Sequence, residues 1–181
     1  MATSNSQRIG IWIIAIVMAA GTIGSFFVVI LANDNAKIDQ ANSQEEIQKL
    51  IEESRKQNEP LEGYEAMAFD KDSVTELQVE VLQQGEGEEV KADSTISANY
   101  FGWSSDGSIF DSTNKKDSDA TPIDFNLGQV IKGWTEGLTG QRVGSTVKLS
   151  IPADKAYGNV DTGTGQPVGP LMFIVEIKAL K

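Results

Sequence analysis

The chain changes its hydrophobic rhythm twice. From Ile9 to Leu31 there are 23 residues without a charge. At 1.5 Å rise per residue such a helix reaches roughly 34 Å, enough for a hydrocarbon core of about 30 Å. Gly10, Gly21 and Gly24 weaken a helix in water but are tolerated in lipid. Between Asn33 and Gly63 the segment turns polar, and Ile38, Ala41, Ile47, Leu50, Ile51 and Ser54 fall near helical spacing on a thin stripe. Ser43, with Glu46 three residues on, resembles a capping box opening a helix at about Gln44; Pro60 and Gly63 close it. Beyond Gly63 the period falls to 2. Leu77, Val79 and Val81 alternate with Gln78 and Glu80, the mark of a half-buried strand. Thr95 to Trp103, Ile109-Phe110 after an Asp106-Gly107 turn, Ile123 to Phe125, Val147 to Ile151 and Leu171 to Ile177 read as further strands. One short helix is predicted, from Val130 to Leu138 with Gly140 as its stop. Thirteen of the 17 glycines lie between Gly85 and Gly169, as the tight turns of a many-stranded sheet require. The pattern predicts an α+β fold, an antiparallel sheet covering one short helix.

Four segments follow: a cytoplasmic amino end at 1–8, a transmembrane anchor at 9–31, a polar spacer helix at 32–63 and a β-rich domain at 64–181. Arg8 precedes the apolar stretch while Asp34 and Asp39 follow it, so the amino end is expected inside and the domain outside the cytoplasmic membrane. A cleaved signal peptide is an alternative, although its apolar region runs to only about 7–15 residues; a buried core helix is another. For the spacer, a solvated stalk is favoured over a short dimerising coiled coil, because clean heptads are too few.

Charge and composition narrow the chemistry. With 15 Lys+Arg against 26 Asp+Glu the net charge is −11, which repels a polyanion and argues against nucleic acid as a partner. Cysteine and histidine are both absent from the 181 residues, which removes thiol nucleophiles, Cys/His zinc sites and every histidine-based triad. Asp161 to Gly165 lacks the strand–loop–helix context of a phosphate loop, and Asp117-Ser118-Asp119 lacks the glycine and distal glutamate of a calcium loop. Asp111 directly follows Phe110 at an apolar strand end, which suits either a site carboxylate or a turn cap. Tyr100, Phe101, Trp103, Phe110, Phe125, Trp134, Tyr157 and Phe173 all fall in the β-rich part. Simple core explains some of them. Trp134 in a short glycine-rich helix and Tyr157 before Gly158 are odd places for packing alone, and an apolar pocket with polar tips suits a small rigid group.

These residues resemble the FKBP-type peptidyl-prolyl isomerases. The resemblance runs from about Leu77 to Leu180 through pieces in order: Tyr100-Phe101-Gly102, Asp106-Gly107, Phe110-Asp111-Ser112-Thr113 and Phe125-Asn126-Leu127-Gly128. Val130-Ile131-Lys132-Gly133-Trp134, Gly137-Leu138, Val143-Gly144, Ile151-Pro152, Ala156-Tyr157-Gly158 and Leu171 to Glu176 complete it. The resemblance implies a curved antiparallel β-sheet wrapped around one short α-helix, here preceded by one transmembrane helix and a polar spacer helix. It also implies cis/trans isomerisation of X–Pro bonds without a cofactor or metal. Trp134 is then the pocket floor, with Tyr100, Phe110, Val130, Ile131 and Phe173 as walls. Asp111 and the Tyr157 hydroxyl are the catalytic polar tips, and the Ile131 N–H binds a substrate carbonyl. The chemistry suits the inventory. The barrier of about 18–20 kcal/mol comes from amide resonance, no bond breaks, and no nucleophile is needed.

The chain departs from the family's pattern in places. Asn99 stands where histidine is frequent, Ile123 where an aromatic wall is common, and residues 114–121 form a longer loop. The loop from Asn159 to Pro170 lacks an Ile-Pro-Pro segment, and Val168 is the candidate for the missing apolar contact. Two readings stand: a membrane-tethered isomerase acting on proline-containing unfolded or nascent exported proteins, or a tethered proline-peptide binding module with little turnover. A rapamycin-like macrolide is a candidate ligand of either.

Overall fold

The computed structural model describes residues 40–181. The stretch expected to anchor the chain, residues 9–31, lies outside the described residues. No helix among the described residues is long and apolar enough to cross a membrane.

Helix α1 runs Gln40–Arg55. Six strands follow: β1 Gln78–Gln83, β2 Thr95–Trp103, β3 Ile109–Ser112, β4 Ile123–Asn126, β5 Thr146–Ile151 and β6 Leu171–Leu180, with helix α2 at Lys132–Leu138 between β4 and β5. All pair antiparallel in one sheet of order β1-β5-β6-β2-β3. β4 also pairs with β2: the first half of β2 meets β4, from Thr95↔Asn126 to Ala98↔Ile123, and its second half meets β3.

Side chains alternate across a strand, and β2 shows what each face is for. Ile96, Ala98 and Tyr100 point into a core shared with Trp134 and Leu138 of α2, and with Val147, Leu149 and Ile151 of β5. Phe101 and Trp103 point the other way and pack with Ile174, Leu61, Tyr64 and Phe69. The segment from Leu61 to Phe69 thus covers the outer face of the sheet. The Trp103 indole N–H donates to the Met67 carbonyl at 2.9 Å, and the Phe69 N–H to Ser105 O at 2.9 Å. On the inner face α2 lies close against β5. A methyl on Gly133 would stand 2.4 Å from Ile151 Cγ2, and one on Gly137 2.7 Å from Leu149 Cδ2. Small residues there let the helix sink onto the sheet and seat Trp134 in its core.

Three elements differ from their expected form. β1 is no half-buried strand: all six residues are exposed, Val79 by 40% and Val81 by 41%. It is an edge strand paired with β5 alone, with Val79 reaching toward Gly137 of α2. α1 already includes Gln40, so Ser43 and Glu46 lie within its span rather than at its start. It ends at Arg55 rather than near Pro60, because Gln57 and Glu59 turn away to hydrogen-bond with Lys116 and Asn114. α2 starts at Lys132, not Val130: Ile131 takes the N-cap in an extended conformation, φ −60° and ψ 146°.

Candidate active site

Five aromatic rings from five elements meet on the inner face. Trp134 of α2 stands 5.2 Å from Tyr100 of β2, 5.0 Å from Phe125 of β4 and 5.5 Å from Phe173 of β6, centroid to centroid. Tyr100 meets Phe125 at 5.3 Å, and Phe110 of β3 meets Phe173 at 5.5 Å. Every one of these pairs is edge-to-face, with interplanar angles of 62° to 87°, the arrangement that ring quadrupoles favour. Gly102 leaves the room for two of them. A methyl there would come within 2.6 Å of both Phe110 Cζ and Phe173 Cε1. Val130, Ile131, Ala156 and Tyr157 are half-buried against this cluster.

Polar groups gather on one side of the rings. The Tyr100 hydroxyl donates a short hydrogen bond to Asp111 Oδ2. The Ser112 N–H donates to Asp111 Oδ1 at 2.9 Å, and the Lys115 ammonium stands 3.6 Å from the same oxygen. Burial above all, then the Asp111 charge and hydrogen bond, holds the Tyr100 phenol well above its ordinary range, with a smaller push from Tyr157. The Tyr157 phenol is raised as well, by burial first and by Asp111 second. Both phenols therefore remain protonated donors at neutral pH. Among the described residues no acceptor takes the Tyr157 hydroxyl proton or the Ile131 N–H, and the Trp134 indole N–H is buried without a partner. The arrangement is an apolar box with unused donors and one carboxylate. It can enclose a small ring and hold carbonyl oxygens beside it.

A family description matches residues 86–178, that of the FKBP-type peptidyl-prolyl cis-trans isomerases. The chain belongs to that family. It is 38% identical over 108 residues to the outer membrane protein MIP of Legionella longbeachae, covering 58% of this chain and 44% of that relative. It is 39% identical over 106 residues to an FK506-binding protein of Neisseria meningitidis, covering 58% and 94%. A crystal structure of a peptidyl-prolyl cis-trans isomerase from Pseudomonas syringae pv. tomato superposes with a TM-score of 0.51 at 25% identity, covering 83% of this chain and 99% of that one. The chain spans about half the length of the curated relatives that it matches first.

The isomerase fold brings Tyr100, Phe110, Asp111, Val130, Ile131, Trp134, Tyr157 and Phe173 to one place. It does not draw Ile123 or Val168 into the ring cluster; they are 43% and 44% exposed. Phe125, absent from the expected pocket list, is in it. The signal was available, since Phe125 lies two residues from Ile123 and so on the same face of β4. Asn99 sits on the opposite face of β2 from Tyr100, buried with its side-chain oxygen unpaired. It takes no part in the ring cluster.

Proposed function

We propose that this chain is a peptidyl-prolyl cis-trans isomerase that acts on incompletely folded, exported proteins at the outer face of the cytoplasmic membrane, tethered by residues 9–31. The observation that carries the reading is Trp134 at the centre of an edge-to-face ring box whose rim bears Asp111 and Tyr157. The tether is supported by the uncharged stretch from Ile9 to Leu31.

The proline ring enters the box over Trp134, between Tyr100, Phe110, Phe125 and Phe173. Planar amides carry charge separation that apolar walls solvate poorly, whereas the twisted amide carries less and loses little. The box thus favours the transition state over both planar isomers, which is sufficient for catalysis. The Tyr157 hydroxyl and the Ile131 N–H donate to the carbonyls that flank the proline. Asp111 fixes the Tyr100 hydroxyl and sets a negative potential at the rim. Ile123 and Val168 are outer contacts for neighbouring substrate residues. No cofactor or metal takes part. An FK506-type or rapamycin-like macrolide would fill the same box and compete with peptide.

The test is an X–Pro isomerisation assay on the full chain in detergent micelles, with the residue before proline varied. The wild type should accelerate exchange. A Tyr157→Phe/Asp111→Ala double variant, shown folded by circular dichroism, should lose about tenfold or more, the worth of one or two charge-assisted contacts. A folded wild type that binds proline peptides but accelerates none of them would overturn the enzyme reading and leave a binding module. Protease accessibility of the domain in intact cells and spheroplasts checks the side of the membrane.

A further inference from the structure

Among the described residues, the side-chain hydrogen bond that spans the most sequence joins α1 to the loop after Tyr157: the Arg55 guanidinium donates to the Gly165 carbonyl at 2.6 Å, 110 residues away. That loop is a closed unit. The Gly169 N–H donates to Gly158 O at 2.8 Å, drawing the ends together into an Ω-type loop rooted directly on Tyr157. Its tip turns at Gly163 and Gly165, φ 72° and 75°, and the Gly163 N–H donates to Asp161 Oδ1 at 2.8 Å. Ile51 of α1 lies directly on that tip, since a methyl on Gly165 would stand 2.5 Å from Ile51 Cδ1. Arg55 also bears on Asp106 in the β2–β3 turn. That carboxyl is held below its usual range mainly by the Ser108 N–H and hydroxyl, with a smaller contribution from Arg55.

The residues just after α1 grip the other side of the site. The Lys116 N–H donates to Gln57 O at 2.7 Å and the Glu59 N–H to Asn114 O at 3.0 Å. The Ser112 hydroxyl donates to Glu59 O, and the Asn114 amide to Pro60 O, both at 2.7 Å. Lys115 donates to Asn58 Oδ1 while standing 3.6 Å from Asp111 Oδ1. One continuous stretch, residues 51–60, therefore holds both the loop rooted on Tyr157 and the strand end that carries Asp111.

We propose that this stretch is a clamp that sets the spacing of the site's rim, with Arg55 as the positioning residue that fixes the 158–169 loop for peptide binding. The inference rests on the isomerase reading for its kinetic consequence but not for its structural one. Arg55 touches no ring of the box. Releasing it leaves the amide-twisting walls in place and frees only the loop that borders the residues flanking proline. The cost falls on substrate binding rather than on turnover.

The test uses the full chain with Arg55→Ala and Arg55→Lys, the latter keeping a cationic donor for Gly165 O. Arg55→Ala should raise KM for X–Pro peptides by about three- to tenfold, one hydrogen bond's worth, with kcat within about twofold. Lysine should recover at least about half of that change, in logarithmic terms. Amide exchange within 158–169 should quicken by about fivefold or more in Arg55→Ala while β2 and β6 amides keep their protection. Unchanged loop exchange would overturn the clamp. So would faster loop exchange with an unchanged KM, or an equal loss in both variants with β2 and β6 exchange also faster. If the wild type proves not to be an isomerase, peptide affinity read by isothermal titration replaces KM. The clamp then stands or falls on affinity and loop exchange while the enzyme reading has already failed.

Discussion

The two faces of one sheet use the same residue types for opposite ends. On the outer face Phe101 and Trp103 stack at 5.1 Å and 18°, with Leu61 and Ile174 against them. The Trp103 N–H finds the Met67 carbonyl, so the chain closes over its own aromatics and satisfies their polar atom. On the inner face Trp134, Tyr100, Phe125 and Phe173 meet edge to face, and there the Trp134 N–H has no partner. Tyr100 and Phe101 are neighbours in sequence and part of different structures. A buried polar atom normally finds its partner inside the protein. An aromatic cluster that leaves donors unused beside a carboxylate is therefore arranged for something other than its own cohesion.

Paired truncations break this comparison most sharply. Trp134→Ala and Phe101→Ala should each cost about 3–5 kcal/mol of stability by urea unfolding, as large buried aromatics do. Only the first should abolish isomerisation. The rate per folded molecule in Phe101→Ala should stay within about twofold of wild type, because its effect is a cavity on the far face. A tenfold drop there would mean that the faces are coupled and that the division is wrong. Gly102→Ala should act more gently and on one side only. Its methyl pushes on Phe110 and Phe173, costing about 1–3 kcal/mol as overpacking does and weakening peptide binding more than stability alone explains. Isothermal titration beside the unfolding curve separates the two.

The smallest expected effect is in pH. Tyr100 and Tyr157 have folded pKa values above their ordinary one. Their contribution to stability is fully present below the unfolded value of about 10 and is lost as pH rises through the raised folded values. The urea midpoint should not vary with pH through these groups between about pH 7 and 9 and should fall above about pH 10. Tyr157→Phe should make that fall shallower. A midpoint that drops equally steeply in Tyr157→Phe would show that this phenol is not the buried donor it is taken to be.

Much of this was legible in the residues, for physical reasons that differ by element. β2 was bounded correctly at Thr95 and Trp103 because its apolar run is long and bordered by polar turns. The meeting of Tyr100, Phe110, Trp134 and Phe173 followed from the resemblance, whose motifs lie on strands and one helix that the fold brings together. Phe125 is not among the walls that the resemblance implies, although alternation alone puts it on one face of β4 with Ile123. The exposure of β1 was hidden, since a period of 2 reports which residues share a face but not whether anything covers it. The clamp had no signal at all. It consists of polar and backbone groups paired across 50 to 110 residues, and such pairs leave no period behind.

The strand order also bears on how such a chain is born. β6 is the last of the six strands in chain order, yet it lies between β5 and β2 in the interior of the sheet. Without Leu171–Leu180 no strand pairing joins β1 and β5 to β2, β3 and β4, and each group keeps an open edge. A product stopped short of residue 171 lacks every strand pairing between those two groups. Joining the sheet must wait for β6, and during that interval a chain proposed to hasten the folding of others is itself a newborn in need of shelter.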